Sequence, residues 1–214
     1  MQKEYSGTEE QINFKDKIKV LYNKYKFLIF SLLLILLIIL VFSGVYFKLK
    51  EKKRIELSNL YVQAKIYLTN EKKSEAKNIL IKIINSNDTT YSPLSLFLII
   101  NTNLIQKDEE LIKLFENILT NNKFETDIRN LIIFKKSLIQ SNITNEEKLL
   151  ESLRPLMNSK TIWKSQALLL LGDYFFSKKE FLKAKENYQK ILSLEDADHL
   201  HEHAKYRLAL KVYD

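Results

Sequence analysis

The three histidines of this chain fall within five residues, His199-Leu200-His201-Glu202-His203. On a helix, His199 and His203 share a face at i,i+4, a spacing that can chelate a divalent cation. No third ligand accompanies them in sequence. Glu202 falls on another face and His201 points away from both, so the stretch reads as a solvated start to a last helix, with Asp196 or Asp198 as its N-cap, in preference to a metal site. Glu109-Glu110 and Glu146-Glu147 are the carboxylate pairs that could do acid–base chemistry. Both precede apolar-periodic runs, where acidic residues favour the positive end of a helix dipole. A general acid and base would need a concave, partly apolar setting, and the sequence gives no sign of one. There is no phosphate-binding glycine loop, nucleophile elbow or metalloprotease motif. With no Cys in the chain, thiol catalysis, disulfides and Cys-based zinc sites are excluded. The expectation is a protein that is not an enzyme, with no catalytic, cofactor-binding or metal-binding residues, no cofactor and an unassigned protein-binding surface.

The elements that would position any site are helices. Only 3 Gly and 2 Pro occur in 214 residues, too few turn-formers for a many-stranded sheet. Phe27 to Phe47 reads FLIFSLLLILLIILVFSGVYF, 21 residues without a charge. As a helix this is roughly 31 Å long, which matches a hydrocarbon core of about 30 Å. Lys24 and Lys26 precede it, and Lys48, Lys50, Lys52, Lys53 and Arg54 follow. Tyr22, Tyr25 and Tyr46 stand where interfacial aromatics belong. The run is longer than the h-region of a signal peptide and begins late, which favours a retained anchor; Val41-Phe42-Ser43 keeps cleavage open as the alternative. Residues 15–26 carry five Lys and residues 48–54 carry four Lys plus Arg54, so the positive-inside rule does not orient the anchor.

Upstream, Phe14, Ile18, Leu21, Tyr22 and Tyr25 recur at helical spacing among lysines, the pattern of an interfacial amphipathic helix; a frayed basic tail is the alternative. Residues 1–11 are expected to be disordered. The organisation is thus 1–26 as a basic N-terminal segment, 27–47 as a transmembrane helix, 48–56 as a basic juxtamembrane linker and 57–214 as a helical repeat domain. The formal net charge of +8 follows this division. Residues 1–54 hold 11 Lys/Arg against 5 Asp/Glu, a net of +6, whereas the other 160 residues hold 23 against 21. The excess therefore flanks the anchor, where it meets anionic lipid head groups. A nearly balanced domain with few Arg excludes a nucleic-acid footprint.

A 34-residue helical-hairpin repeat is visible twice. Counting Ser165 as the first position, Leu168 falls at four, Leu171-Gly172 at seven and eight, Phe175 at eleven, Phe181 at seventeen, Ala184 at twenty and Tyr188 at twenty-four. Counting from Leu57, Leu60 occupies four, Ala64 eight, Tyr67 eleven, Ala76 twenty and Leu80 twenty-four. The small residues sit where two helices cross closely and the large ones fill the space around the crossing. Ser177–Glu180 and Asn70–Lys73 are the polar turns. Ile83 and Ile191 depart from the repeat pattern at position twenty-seven. Two degenerate helical pairs, about 91–120 and 124–157, lie between, and Tyr206-Arg207-Leu208-Ala209 opens a capping unit. The fold class expected is all-α: one transmembrane helix followed by a tetratricopeptide-type solenoid, with an irregular helix bundle as the alternative. Trp163 and the aromatics at 174–176 are expected in the core.

LYNKYK (21–26) leading into a membrane helix that ends GVYF (44–47), then SNLYVQAKIYL (58–68), LRPLM (153–157), Trp163 and ALLLLGDYFFSKKEFLKAKENYQKIL (167–192) form an arrangement that resembles the YfgM-like family. Members are ancillary subunits of the bacterial SecYEG translocon. The resemblance implies a cytoplasmic N-terminus, an inner-membrane anchor and a periplasmic repeat domain. As partners it implies translocon subunits, periplasmic chaperones and exported clients, which the scaffold would help hand on. No catalytic residues come with it. A coordinator of envelope assembly or cell division, and a cytoplasm-facing adaptor, are the alternative functions.

Overall fold

The computed structural model describes residues 14–210; the expectation of disorder at 1–11 lies outside them. Among the described residues every regular element is helical. The order is α1 (Phe14–Thr69), α2 (Lys73–Ile84), α3 (Tyr91–Asn101), α4 (Asp108–Asn121), α5 (Thr126–Ile143), α6 (Glu146–Met157), α7 (Ile162–Ser177) and α8 (Phe181–Leu192), then a short 3₁₀ turn (Glu195–Ala197) and α9 (Asp198–Leu208). The chain divides into two units, one ending at Ile55 and the other beginning at Glu56.

In the first unit the described residues are helical without a break. The amphipathic stretch upstream of residue 27 and the basic stretch at 48–55 are part of α1 rather than separate elements. Their composition accounts for this, since both are rich in Lys, a good helix former, and neither holds a Gly or Pro among its described residues. No residue in the apolar window of α1 is buried within the chain. It is the one helix among the described residues long and apolar enough to cross a membrane, and it lies near the N-terminus.

The second unit owes its form to single apolar stripes. Ala76, Leu80, Ile83 and Ile84 are buried on α2, Leu111, Phe115 and Ile118 on α4, Leu149, Leu153 and Leu156 on α6, and Ala184, Tyr188 and Ile191 on α8. Each set follows i, i+4, i+7, the spacing of one helix face. α7 is buried on several sides, because α5, α6 and α8 all pack on it. Two apolar clusters result. The first gathers Leu57 and Ala64 with buried residues of α2, α3 and α4; the second gathers α6 to α9. Adjacent residues of α5 serve one each, Ile132 the first and Ile133 the second.

The turns explain how so few glycines suffice. Glu71 and Lys179 take left-handed backbone angles, φ 60° and 64°, immediately after α1 and α7. The Lys72 N–H donates to the Tyr67 carbonyl at 2.8 Å and the Glu180 N–H to the Phe175 carbonyl at 2.9 Å. Both close the helix end by the six-to-one bond that usually recruits glycine. Asn145 caps α6, its side chain accepting from the Lys148 N–H at 3.1 Å. The expected Asp196 or Asp198 cap of α9 is not found. Ala197 holds that position without a side-chain bond, because Glu195–Ala197 winds into a 3₁₀ turn that buries the Ala197 methyl.

Candidate functional site

The residues singled out for chemistry are dispersed along α4, α6 and α9. His199 Nε2 lies 3.5 Å from the Gln166 side-chain nitrogen. His201 reaches the Leu194 carbonyl at 3.3 Å and the Asp198 carboxylate at 3.5 Å, so it fastens the 3₁₀ turn to α9. His203 is exposed. No group of three His, Asp or Glu residues that could hold a metal occurs among the described residues, so His199 and His203 gain no third ligand. Glu109 and Glu110 sit in the first turn of α4, Glu146 and Glu147 in that of α6. Glu110 pairs with Lys77 at 3.3 Å, and Glu146 pairs with Lys183 at 2.8 Å. Lys183 also meets Glu180 at 2.8 Å. These two hydrogen-bonded carboxylates raise the Lys183 ammonium above its ordinary pKa. Across this cluster, burial first and then the charges of Glu146 and Glu180 push the Tyr174 phenol up.

The helix crossing read from the sequence is present. A Cβ on Gly172 would stand 2.8 and 2.9 Å from atoms of the Tyr188 ring. Tyr188 is fully buried, and its hydroxyl donates to Asp173 at 2.7 Å. The same carboxylate pairs with Arg207 at 3.1 Å, while the Arg207 guanidinium lies over Phe176, so one acid ties α7, α8 and α9 together. Tyr174 and Phe175 are buried in the core. Trp163 is only half-buried: it packs on Phe134, with ring centroids 6.0 Å apart, and its indole N–H donates to Asp127 at 3.4 Å.

Two open surfaces lie at the N-terminal ends of alternate helices. α5 packs directly on α7, whereas between α3 and α5 there is a groove of about 490 Å³. Its walls are mainly apolar, Pro93, Leu94 and Phe97 from α3 with Phe124, Ile128 and Leu131 opposite, and Lys123 and Glu125 also line it. Ile162 and Trp163 line a neighbouring cleft with Asp127, Thr161 and Asp196. A third groove, between α4, α5 and α6, is polar and includes Lys136, Gln140 and Ser152. The Lys136 ammonium there already meets Glu116 at 3.7 Å.

Sequence reasoning left the binding surface unassigned and so missed Leu94, Ile128 and Ile162. A signal exists. The three are spaced 128 − 94 = 34 and 162 − 128 = 34 residues apart, and all remain exposed in the folded domain. What this arrangement can do is hold apolar side chains of another molecule; it does not converge titratable groups on a reacting atom. No protein-family model, no curated protein and no solved structure matches the chain.

Proposed function

We propose that this chain is a single-pass membrane protein whose helical domain is a non-enzymatic scaffold for segments of other proteins, working beside the Sec translocon on the periplasmic side of the bacterial inner membrane. The observation that carries the scaffold reading is the apolar groove between α3 and α5. A large exposed apolar concavity on a folded domain is the ordinary mark of an interaction site.

Other features support the rest of the reading. The uncovered apolar face of α1 has the length and composition of a membrane span. Helices α3, α5, α7 and α9 begin at 91, 126, 162 and 198, steps of 35, 36 and 36 residues. Helices α2, α4, α6 and α8 begin at 73, 108, 146 and 181, steps of 35, 38 and 35. Such regular steps between helix pairs favour a tetratricopeptide-type solenoid over an irregular bundle. The translocon as neighbour, the periplasmic side and the hand-over of clients to chaperones rest on the resemblance to the YfgM-like family. Affinity purification of the tagged full chain from gently solubilised membranes tests the reading. Enrichment of translocon subunits or periplasmic chaperones is expected; their absence beside a retained control membrane protein would overturn it.

A further inference from the structure

The exposed apolar residues at the helix starts are not evenly surrounded by charge. Leu94, Ile128 and Ile162 are 42%, 43% and 50% exposed, and each lies in the first turn of its helix. Leu94 and Ile128 face one groove. Ile162 and Trp163 face the next, where the flanking charged groups are Asp127 and Asp196, both carboxylates. Asp127 adjoins Ile128 in sequence, so the first turn of α5 contributes to both grooves. Among the described residues neither Asp127 nor Asp196 is in an ion pair. Lys160 and Lys164 share the adjoining cleft with Asp196 but form no salt bridge with it. The surface thus runs from an apolar groove to an aromatic plate flanked by two carboxylates that form no ion pair; Asp127 accepts the Trp163 indole N–H, and Lys160 and Lys164 stand near Asp196.

Building on the scaffold reading, we propose that this surface takes an extended segment of another protein in which apolar side chains are followed by a lysine or arginine. The apolar side chains fill the space between α3 and α5. The basic side chain lies against Trp163 between Asp127 and Asp196, combining a cation–π contact with charge pairing. Extended backbone suits a path across helix ends: a strand advances roughly 3.3 Å per residue and turns alternate side chains to one face. Apolar residues an even number of positions apart would therefore face the same row of helix starts.

The test uses the full chain in nanodiscs and two fluorescein-labelled peptides of about twelve residues. Both carry leucine at every fourth position; one ends in lysine and the other has glutamine in its place. The lysine peptide is expected to bind about fivefold more tightly by fluorescence anisotropy. That preference should vanish in the Asp127→Asn, Asp196→Asn double variant and shrink with added salt. Leu94→Ser with Ile128→Ser should weaken both peptides. Circular dichroism establishes that each exposed-site variant is folded. Equal binding of the two peptides, or a lysine preference untouched by the aspartate changes, overturns the inference while leaving the scaffold reading standing. Failure of both peptides to bind also overturns it, as does self-association of the chain that the Ile128→Ser change abolishes. The scaffold reading answers separately to the purification from membranes.

Discussion

Gly172 is the residue on which the tightest packing depends. Alanine is the better helix former by about 1 kcal/mol, so propensity alone favours Gly172→Ala. The Tyr188 ring opposes it, because an added methyl would overlap atoms at 2.8 and 2.9 Å. That ring cannot retreat freely: it is fully buried and its hydroxyl is tied to Asp173. Overpacking of this kind typically costs about 1–3 kcal/mol, so Gly172→Ala should lower stability despite its gain in propensity, read as a lower thermal midpoint by circular dichroism. The crossing was legible in sequence because a glycine and an alanine stood opposite large residues at hairpin spacing. The left-handed turns were not: Glu71 and Lys179 bear side chains, and nothing in their type announces a positive φ.

Between elements, stability is shared by packing and by a small charged cluster. Tyr174 on α7 reaches the Thr144 carbonyl, in the turn between α5 and α6, at 3.4 Å, and it lies near Glu146, Glu180 and Lys183. Its phenol has a higher pKa folded than unfolded, so folding favours the neutral form. That contribution is complete below the unfolded tyrosine value of about 10 and is lost as the pH rises above it. Lys183, raised by its two carboxylates, loses its contribution in the same alkaline window, beginning near about 10.4. Tyr174→Phe should therefore flatten the fall in stability above about pH 10 while leaving the neutral-pH profile parallel to that of the parent. Thermal midpoints across the alkaline range check this. The stripes of α2, α4, α6 and α8 could be read directly from i, i+4, i+7 spacing. α3 could not, because YSPLSLFLII is apolar almost all round, and periodicity does not say whether Leu94 or Leu96 turns inward. Only the packed helices decide that, which is why the groove was hidden in the sequence. The start of α9 was misplaced for a related reason: burial of Ala197 outweighs a cap from either neighbouring aspartate.

At the scale of the whole molecule, the sequence separates an uncovered apolar helix from a domain with its own apolar clusters, and the described residues divide along the same line. Direction was never legible, because five basic residues stand on each side of the apolar run. The proposed placement of the domain on the outer face rests on the family resemblance alone. Protease accessibility in intact spheroplasts tests that placement most directly, with a C-terminal tag reporting on residues beyond the anchor. The account predicts that protease added outside removes the tag while a cytoplasmic control protein stays whole. A tag that survives until the membrane is broken would contradict it.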